Sequence, residues 1–237
     1  MTTTSLRPTV HGSAEGLSPA TAYARALSGE QCAVVAEDGT VRALPAGRWL
    51  DAADASDRRL FVEPCSGPTL DVGCGPGRLV LALQRHGVAA HGIDVSPEAV
   101  ARARAWGASV SRADVFAPLL REGLPGCPPG AGEGRWAHVL LADGNVGIGG
   151  RPDRLLGRVR DLLAPGGRAH VELHPGADNG LTTSNVRLHV GGRHSTPFRW
   201  STVGPDAIEG VADRADLRLL RIDSHAGRHA AVLGHRN

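Results

Sequence analysis

The stretch that decides the fold is Leu70-Asp71-Val72-Gly73-Cys74-Gly75-Pro76-Gly77-Arg78. An apolar run ends on the acid Asp71, three glycines then alternate at 73, 75 and 77, and an amphipathic run follows over residues 79–86. This order predicts a β-strand, a tight glycine loop and the first turn of a helix. In α/β proteins such a loop lies at the carboxyl end of a parallel strand, where nucleotide-like ligands bind.

The spacing of the glycines bears on the identity of that ligand. A dinucleotide-binding loop has the pattern G-x-G-x-x-G, whose third glycine would stand at position 78. Position 78 is Arg78, and the third glycine is Gly77. Asp71 would also repel a pyrophosphate, which needs bare backbone N–H groups and the positive end of a helix dipole. The loop therefore favours a ligand with a cationic end and no phosphate, and a purely structural glycine turn is the alternative.

The pattern Asp-x-Gly-Cys-Gly-Pro-Gly at residues 71–77 resembles motif I of the class I methyltransferases that use S-adenosylmethionine (SAM). SAM carries a sulfonium, an ammonium and a carboxylate beside its adenosine, so it has the cationic end that the loop favours. The resemblance covers roughly residues 65–175 and implies SAM as the cofactor. Among the family, the chain is most similar to actinobacterial-type small-molecule members with Asp-Gly-Asn after the fourth strand.

Acidic residues also follow the next two predicted strands. Asp94 stands 23 residues after Asp71 and can accept hydrogen bonds from both ribose hydroxyls; capping of the next helix is the alternative, although Ser96 suits that role. The resemblance implies that Asp114 accepts from the adenine amine, and a plain surface acid is the alternative. The predicted cofactor-binding residues are Asp71, Gly73, Cys74, Gly75, Gly77, Asp94, Val95, Asp114, Val115 and Ala142, with a packing role expected for the Cys74 side chain.

The ends of the fourth and fifth strands carry the candidates for catalysis. Asp143 and Asn145 follow the apolar run at 137–142, and the resemblance implies that this strand end lies beside the transferring methyl group. Turn formation is the alternative, because Asp and Asn both tolerate turn conformations. His174 follows the fifth strand and is a candidate general base, because histidine is the side-chain type that ordinarily exchanges protons near neutral pH. A histidine satisfied within its loop is the alternative.

The remaining pattern predicts an α/β fold. Strand and helix signals alternate from residue 68 to His174, with a helix stop at Pro165-Gly166-Gly167 before the last of these strands, which is typical of a doubly wound, mostly parallel sheet. The resemblance implies seven strands, with a terminal antiparallel strand from the hairpin at 217–233. Residues 1–64 are interpreted as an N-terminal tail and cap that ends in an acidic linker. Residues 65–237 are interpreted as the SAM-binding domain, with a β-hairpin inserted at about 184–200.

Four aromatic residues outside the alternating region are candidates for a cover over the substrate, with ordinary core packing as the alternative. They are Tyr23, Trp49, Phe198 and Trp200. Residues 1–15 are expected to be disordered, and the Pro/Gly-rich run at 121–135 predicts a mobile loop.

Composition excludes several classes of function. The 237 residues carry a net charge of only +2 and 3% aromatics, so a nucleic-acid partner is not expected. All of the basic residues are arginines, which excludes a lysine nucleophile. The four cysteines lack a C-x-x-C pair and the histidines lack metal-ligand spacing, so no metal is expected. Neither a signal peptide nor a membrane-length apolar run is apparent, and a cytoplasmic protein is expected.

We therefore expect an enzyme that transfers the methyl group of SAM to a small-molecule acceptor in bacterial secondary metabolism, as a monomer or homodimer. Three alternatives stay open at this point. The chain can be a SAM-binding enzyme of the same fold with a non-methylating reaction, a non-catalytic SAM-binding partner protein, or an NAD-dependent oxidoreductase.

Overall fold

The computed structural model describes residues 16–118, 133–174 and 180–236. The expectations for residues 1–15 and for most of the loop at 121–135 fall outside these ranges. No helix among the described residues is both long enough and apolar enough to span a membrane. The helices and strands are α1 (Pro19–Leu27), β1 (Cys32–Ala36), β2 (Val41–Ala43), α2 (Ala46–Leu50), α3 (Ala55–Asp57), β3 (Thr69–Val72), α4 (Arg78–Arg85), β4 (Ala90–Asp94), α5 (Pro97–Ala105), β5 (Val110–Arg112), β6 (Trp136–Leu141), α6 (Pro152–Leu162), β7 (Leu163–Leu173), β8 (Leu181–Val190), β9 (Arg193–His194), β10 (Phe198–Val203), α7 (Ile208–Arg214), β11 (Leu217–His225) and β12 (Arg228–His235).

The large sheet has seven strands in the order β11-β12-β7-β6-β3-β4-β5. The five strands from β7 to β5 run parallel, and β12 pairs antiparallel with both β7 and β11. This confirms the predicted doubly wound sheet with an antiparallel terminal strand. The chain leaves β3 in one direction toward β4 and returns to its other side at β6, so the switch point of the sheet lies between β3 and β6.

Helices cover both faces of this sheet, as the alternating pattern predicts. Apolar residues of α4 and α5 pack on one face, and apolar residues of α6 and α7 pack on the other. The start of α5 follows the predicted punctuation: the Ser96 hydroxyl accepts a hydrogen bond of 3.2 Å from the N–H of Ala99, and Pro97 opens the helix. Both faces of the parallel strands are therefore buried, and ligands can approach only at the strand ends.

The start of β7 differs from the prediction. Pro165-Gly166-Gly167 does not separate a helix from a strand at Arg168, because β7 begins at Leu163, directly after α6. Leu163 pairs with Trp136, and the register then shifts before His138 pairs with Arg168, so the extra residues form a bulge. A Cβ atom at Gly167 would lie 2.9 Å from the carbonyl oxygens of Ala164 and Trp136, which explains the glycine in this bulge.

The small sheet joins two regions that were predicted to be separate. Its order is β10-β8-β1-β2, with β9 paired to β8, and all its pairs are antiparallel. The N-terminal strand β1 pairs with β8 along its whole length, from Cys32 opposite Val190 to Ala36 opposite Val186. The predicted N-terminal cap and the predicted inserted hairpin therefore both contribute strands to one sheet.

The predicted acidic linker at 51–57 is folded. Asp54 and Asp57 form a reciprocal capping box at α3, in which each carboxylate accepts the backbone N–H of the other. A π-helical turn follows at Arg58–Val62 and buries Phe61 completely. The acidic residues thus act as helix caps, and they bring a charged side chain into the protein interior.

Candidate active site

A cavity of about 610 Å³ lies between the carboxyl ends of the parallel strands and the small sheet. Its volume is in the range of small-molecule sites. Its floor is built by β3 to β6 and the loops after them, and its roof by α1, α2 and the small sheet. All but one of the sequence-predicted site residues line it, the exception being Gly77; the lining set is Asp71, Gly73, Cys74, Gly75, Asp94, Val95, Asp114, Val115, Ala142, Asp143, Asn145 and His174.

The glycine loop owes its shape to left-handed backbone at Gly73 and Gly77, with φ of 72° and 87°. A Cβ atom at Gly73 would lie 2.7 Å from Nδ2 of Asn145, and one at Gly77 would lie 2.9 Å from Cβ of Ala108. Gly73 therefore lets the neighbouring loop approach the cavity floor. Gly77 lets α4 start close to the segment after α5, which is a packing role.

Asp71 is almost completely buried, at 2% exposure, where β3 meets the glycine loop. Burial, followed by the negative charges of Asp143 and Asp94, raises the pKa of the Asp71 carboxyl to about 8. All three of these carboxyl groups line the cavity, so its floor is rich in acidic side chains. A cation bound there would stabilise their ionised forms.

Asp94 ties the glycine loop to the start of α5. Its Oδ2 accepts a 2.9 Å hydrogen bond from the N–H of Gly75, and its Oδ1 accepts a 2.8 Å hydrogen bond from the N–H of Ser96. Burial raises the pKa of Asp94, and the backbone N–H groups oppose that rise. The N-cap of α5 is Ser96, so Asp94 does not cap this helix but holds the backbone directly before it, and it also lines the cavity. A carboxylate oxygen can accept more than one hydrogen bond, so both oxygens keep capacity for a ligand.

The other cofactor candidates form the remaining floor. Asp114 is exposed, and its Oδ1 accepts a 2.9 Å hydrogen bond from the N–H of Phe116. The Cys74 side chain packs against Gly92, where a Cβ atom would lie 2.6 Å from its Sγ, and burial raises the pKa of its thiol. The Cys74 side chain therefore packs against β4 and also lines the cavity.

Asn145 binds the glycine loop to the loop after β6. Its Nδ2 donates hydrogen bonds of 2.9 Å to the carbonyl oxygens of both Val72 and Gly73. Both hydrogens of the amide nitrogen are used in these bonds. The side chain thus holds two cavity walls together.

Asp143 stands in a left-handed conformation, with φ of 52°. Its Oδ2 accepts a 2.5 Å hydrogen bond from Nη2 of Arg78, and Nη1 of Arg48 lies 3.7 Å from its Oδ1. Its N–H donates a 2.5 Å hydrogen bond to Oε2 of Glu172. Both the backbone and the carboxylate of Asp143 are therefore fixed by charged neighbours.

His174 lies at the end of β7, on the same side of the cavity as Asp143. Its N–H donates a 3.0 Å hydrogen bond to the carbonyl oxygen of Val203. Its ring rests on Gly144, where a Cβ atom would lie 3.2 Å from Cε1. The imidazole is exposed at the cavity, so the structure brings the three candidate catalytic residues to one part of the lining.

A buried ion network that was not predicted from the sequence lies behind Asp143. Asp57 is completely buried, and its carboxylate contacts Arg48, Arg78 and Arg228. Burial alone would raise the pKa of Glu172, but its hydrogen bond and ion pair with Arg228, and the N–H of Asp143, outweigh burial and lower it. The D-x-x-D capping pattern at 54–57 is a signal that could have identified α3. No sequence signal connects residues that are 171 positions apart.

The four aromatic residues expected to cover the substrate all line the cavity. The Tyr23 hydroxyl would lie 3.0 Å from a Cβ atom at Gly75, so this side chain covers the glycine loop. The rings of Tyr23 and Trp49 are 5.7 Å apart, and those of Phe198 and Trp200 are 6.2 Å apart in an edge-on arrangement. The aromatic pairs come from the N-terminal region and from the small sheet, respectively.

A second cluster of polar side chains lies nearer the amino ends of β3 and β6. Atoms of Cys65, His138 and His170 that can bind a metal all lie within 4.8 Å of one another, a proximity invisible in their sequence spacing. The N–H of Ser66 donates to Nε2 of His138 at 3.0 Å, so the neutral His138 ring carries its proton on Nδ1 and donates it to Nε2 of His170, also at 3.0 Å. That tautomer leaves His138 without a free lone pair for a metal ion.

Residues 70–169 match a protein family described as "Methyltransferase domain". No protein with a curated function matches this sequence. A SAM-dependent methyltransferase from Bacteroides fragilis in complex with S-adenosylhomocysteine (SAH) has a similar structure, with a TM-score of 0.74 and 18% identity over 98% of both chains.

Two further solved structures share the fold over most of this chain. The glycopeptide N-methyltransferase MtfA complexed with sinefungin has a TM-score of 0.59 and 16% identity, covering 79% of this chain and 88% of its own. The 1,6-didemethyltoxoflavin-N1-methyltransferase of Burkholderia thailandensis has a TM-score of 0.51 and 19% identity, covering 79% and 80%. At these identities the likeness is one of fold.

Proposed function

We propose that this chain, which carries a methyltransferase domain of the class I fold, is an enzyme that transfers the methyl group of SAM to a small molecule. The observation that carries the proposal is the meeting of three strand-end acids, Asp71, Asp94 and Asp114, with the glycine loop in one cavity at the switch point of the sheet. The family match over residues 70–169 supports it independently.

The residues of the cavity floor fit the parts of SAM. Asp94, with hydrogen-bonding capacity left on both carboxylate oxygens, binds the ribose hydroxyls. Asp114 accepts from the adenine amine, and Val115 contacts the ring. The methionine end lies along the glycine loop beside Asp71. The assignment also includes Gly73, Cys74, Gly75, Val95 and Ala142 as cavity walls and Gly77 as the residue that permits the loop's close packing.

The charge of the floor suits a cation. Asp71 keeps a proton more readily than an ordinary carboxyl because it is buried beside other acids. A bound cation would offset that repulsion and favour the ionised carboxylate. A pyrophosphate would add to the repulsion, which is why the same floor disfavours a dinucleotide.

When bound, SAM supplies a methyl group activated by the positive charge on its sulfur. The protein's contribution is to hold the acceptor in line with that methyl group and to exclude water. The aromatic cover supports exclusion of water, because Tyr23 and Trp49 close one side of the cavity and Phe198 and Trp200 line another.

His174 is the residue proposed to take the proton of the acceptor. Its ring is exposed at the cavity, whereas the Asp143 carboxylate is occupied by Arg78 and Arg48. Asp143 therefore shapes the charge of the site rather than accepting a proton. Asn145 is assigned a supporting role, since both hydrogens of its amide nitrogen hold the glycine loop.

The cavity roof supports a small acceptor: its β8 face is uncharged, and its charged lining side chains, Asp38, Arg42 and Arg48, lie in or before β2 and in α2. The residues of β8 that line it alternate along the strand and share one face of the small sheet; they are Thr182, Ser184, Val186 and Leu188. Together with the aromatic residues they offer apolar surface and hydroxyl groups. We assign the acceptor to bacterial secondary metabolism, because similar structures include a glycopeptide and a 1,6-didemethyltoxoflavin methyltransferase.

Calorimetric titration with SAM, SAH and NAD tests the cofactor assignment. We expect SAM and SAH to bind and NAD to bind far more weakly, because the acidic floor repels a pyrophosphate. Tighter binding of NAD than of SAM would contradict the proposal. Incubation with methyl-labelled SAM and a panel of phenols and amines then tests transfer, and tight SAM binding without transfer to any acceptor would favour a non-methylating role.

Replacement of His174 by Gln tests the proposed base once an acceptor is identified. We expect the transfer rate to fall by about a hundredfold, the usual range for loss of a general base, while the affinity for SAM stays within about twofold. The matched control is His86→Gln, which changes an exposed histidine just past the end of α4. A transfer rate equal to that of the control would exclude His174 as the base.

A further inference from the structure

Asp57 is the most completely enclosed charged group described beside the site, yet it does not line the cavity. Its Oδ1 accepts hydrogen bonds of 3.0 Å from Arg48 and 2.8 Å from Arg228, and its Oδ2 pairs with Arg78. A buried carboxylate is tolerated only when cations and hydrogen bonds compensate it. Three guanidinium groups meet on this single side chain.

Each of these arginines belongs to a different part of the protein. Arg48 lies in α2, beside the cover residue Trp49. Arg78 is the first residue of α4, directly after the glycine loop. Arg228 is the first residue of β12, the strand that pairs antiparallel with β7. Asp57 therefore connects the cover, the cofactor loop and the neighbouring strand through side chains alone.

Two paths from Asp57 converge on Asp143. Arg78 carries one path to the Asp143 carboxylate, through a 2.5 Å hydrogen bond. Arg228 carries the other: its Nε donates a 2.7 Å hydrogen bond to Oε1 of Glu172, whose Oε2 accepts the N–H of Asp143. Both the side chain and the peptide of Asp143 are thus held by groups that Asp57 holds.

Asp143 needs this support because a non-glycine residue with positive φ is strained. The His174 ring packs against the backbone of the next residue, Gly144. Displacement of this turn would therefore move both a charged wall of the cavity and the proposed base.

The network also sets the charge beside the cavity. Its acids are Asp54, Asp57, Asp143 and Glu172, and its cations are Arg48, Arg78 and Arg228, so the acids exceed the cations by one. Arg48 and Arg78 line the cavity, and Asp57 neutralises them from behind. Without Asp57 the network would lose its excess negative charge, and Arg48 and Arg78 would be balanced only by Asp54 and Asp143.

We propose that Asp57 is a positioning residue of the methyl-transfer site, which fixes the Asp143–Gly144 turn and keeps Arg48 and Arg78 neutralised so that the cavity prefers the cationic SAM to the neutral-sulfur SAH. The inference rests on the proposed function. Asp57 lies outside the cavity, yet it should affect the affinities for SAM and SAH unequally. The reason is that the two ligands differ by one positive charge and a methyl group.

The variant Asp57→Asn tests this role, since it keeps the shape of the side chain and removes its charge. We expect the affinity for SAM to fall about tenfold more than the affinity for SAH, from the added repulsion between the arginines and the sulfonium. The backbone N–H of Asp143 should also exchange with deuterium faster than in the wild type. Asp51→Asn, at an exposed position close by, is the matched control.

The variant Arg48→Gln should change the ratio of SAM affinity to SAH affinity in the opposite direction. The Arg48 side chain is 32% exposed, so this test does not depend on whether the Asp57 variant folds. Removal of this positive charge should raise the ratio of SAM affinity to SAH affinity by a few fold. Combining Asp57→Asn with Arg48→Gln should return the SAM-to-SAH affinity ratio toward the wild-type value, because one negative and one positive charge are removed together.

Equal losses of SAM and SAH affinity in Asp57→Asn, or a lower ratio in Arg48→Gln, would overturn the inference and reduce Asp57 to a structural residue. These outcomes differ from failure of the proposed function, in which the wild-type protein would bind neither SAM nor SAH.

Discussion

At the carboxyl end of the large sheet, acidic side chains are buried beside a cavity, whereas nearer its amino end His138 and His170 are buried against each other. Asp71 and Asp94 line open space, and burial, followed by the charges of Asp143 and Asp94, raises the pKa of Asp71. His138 accepts the N–H of Ser66 and donates to His170, whose Nδ1 is buried without a hydrogen-bond partner among the described residues, and neither ring lines the cavity. Burial of polar groups therefore marks a site only where uncompensated charge and space for a ligand coincide.

The two regions also differ in how backbone strain is used. Near the cavity, Gly73 and Asp143 both adopt positive φ, and hydrogen bonds from Asn145 and Arg78 hold the strained loops. Gly87, at the far end of α4, has φ of 81° but no atom within 4 Å of a Cβ position. Left-handed backbone thus ends a helix at Gly87, whereas at Gly73 and Asp143 it allows two loops to approach each other closely.

The largest expected effect is at the carboxyl end. Asp94→Ala should weaken SAM binding by about a hundredfold, because two charge-assisted hydrogen bonds to the ribose are lost. Calorimetry measures it, and Asp206→Ala, an exposed acid outside the cavity, is the control. Unchanged affinity would show that acids at this end of the sheet are as inert as the histidines nearer the other end.

A pair of glycine variants sharpens the contrast in backbone strain. Gly87→Ala should cost about 1 kcal/mol of unfolding free energy, the usual penalty of left-handed alanine. Gly73→Ala should cost about 2 kcal/mol more, because its Cβ would lie 2.7 Å from Nδ2 of Asn145 and break two hydrogen bonds. Urea denaturation measures both, and equal costs would mean that the Asn145 contact is unimportant.

The third prediction concerns the histidine pair. Burial, then His138 and nearby arginines, lowers the pKa of His170 to about 3, below its unfolded value of about 6.5. The unfolded chain therefore binds the proton first as the pH falls below about 6.5, and stability is lost progressively toward pH 3. Replacing both histidines by Leu should remove roughly 1–2 kcal/mol of the stability loss between pH 7 and pH 5.

Thermal unfolding at several pH values measures this change in slope. His86→Leu, an exposed histidine, should keep the wild-type slope. If the variant with both histidines replaced also keeps the wild-type slope of stability against pH, the histidine pair is not the acid-sensitive element. The proposed difference between the two regions would then be wrong for the histidines.

The parts of the fold that depend on local chemistry were predictable. Ser96 and Pro97 begin α5 as expected, and the glycine loop follows β3 at the predicted place. The start of β7 was not predictable, because Pro165-Gly166-Gly167 has the composition of a helix stop and only pairing with Trp136 turns it into a bulge. The division of the chain at residue 64 stays a prediction.

The sequence by itself determined the parallel sheet, the glycine loop and the acids after successive strands, since these follow from period, turn chemistry and the order of strand ends. Only the tertiary structure decided that β1 and β8 form one roof over the cavity and that Asp57 supports Asp143. The physical reason is distance along the chain. Strand pairing and buried ion pairs between distant segments depend on burial and charge compensation, which no local pattern encodes.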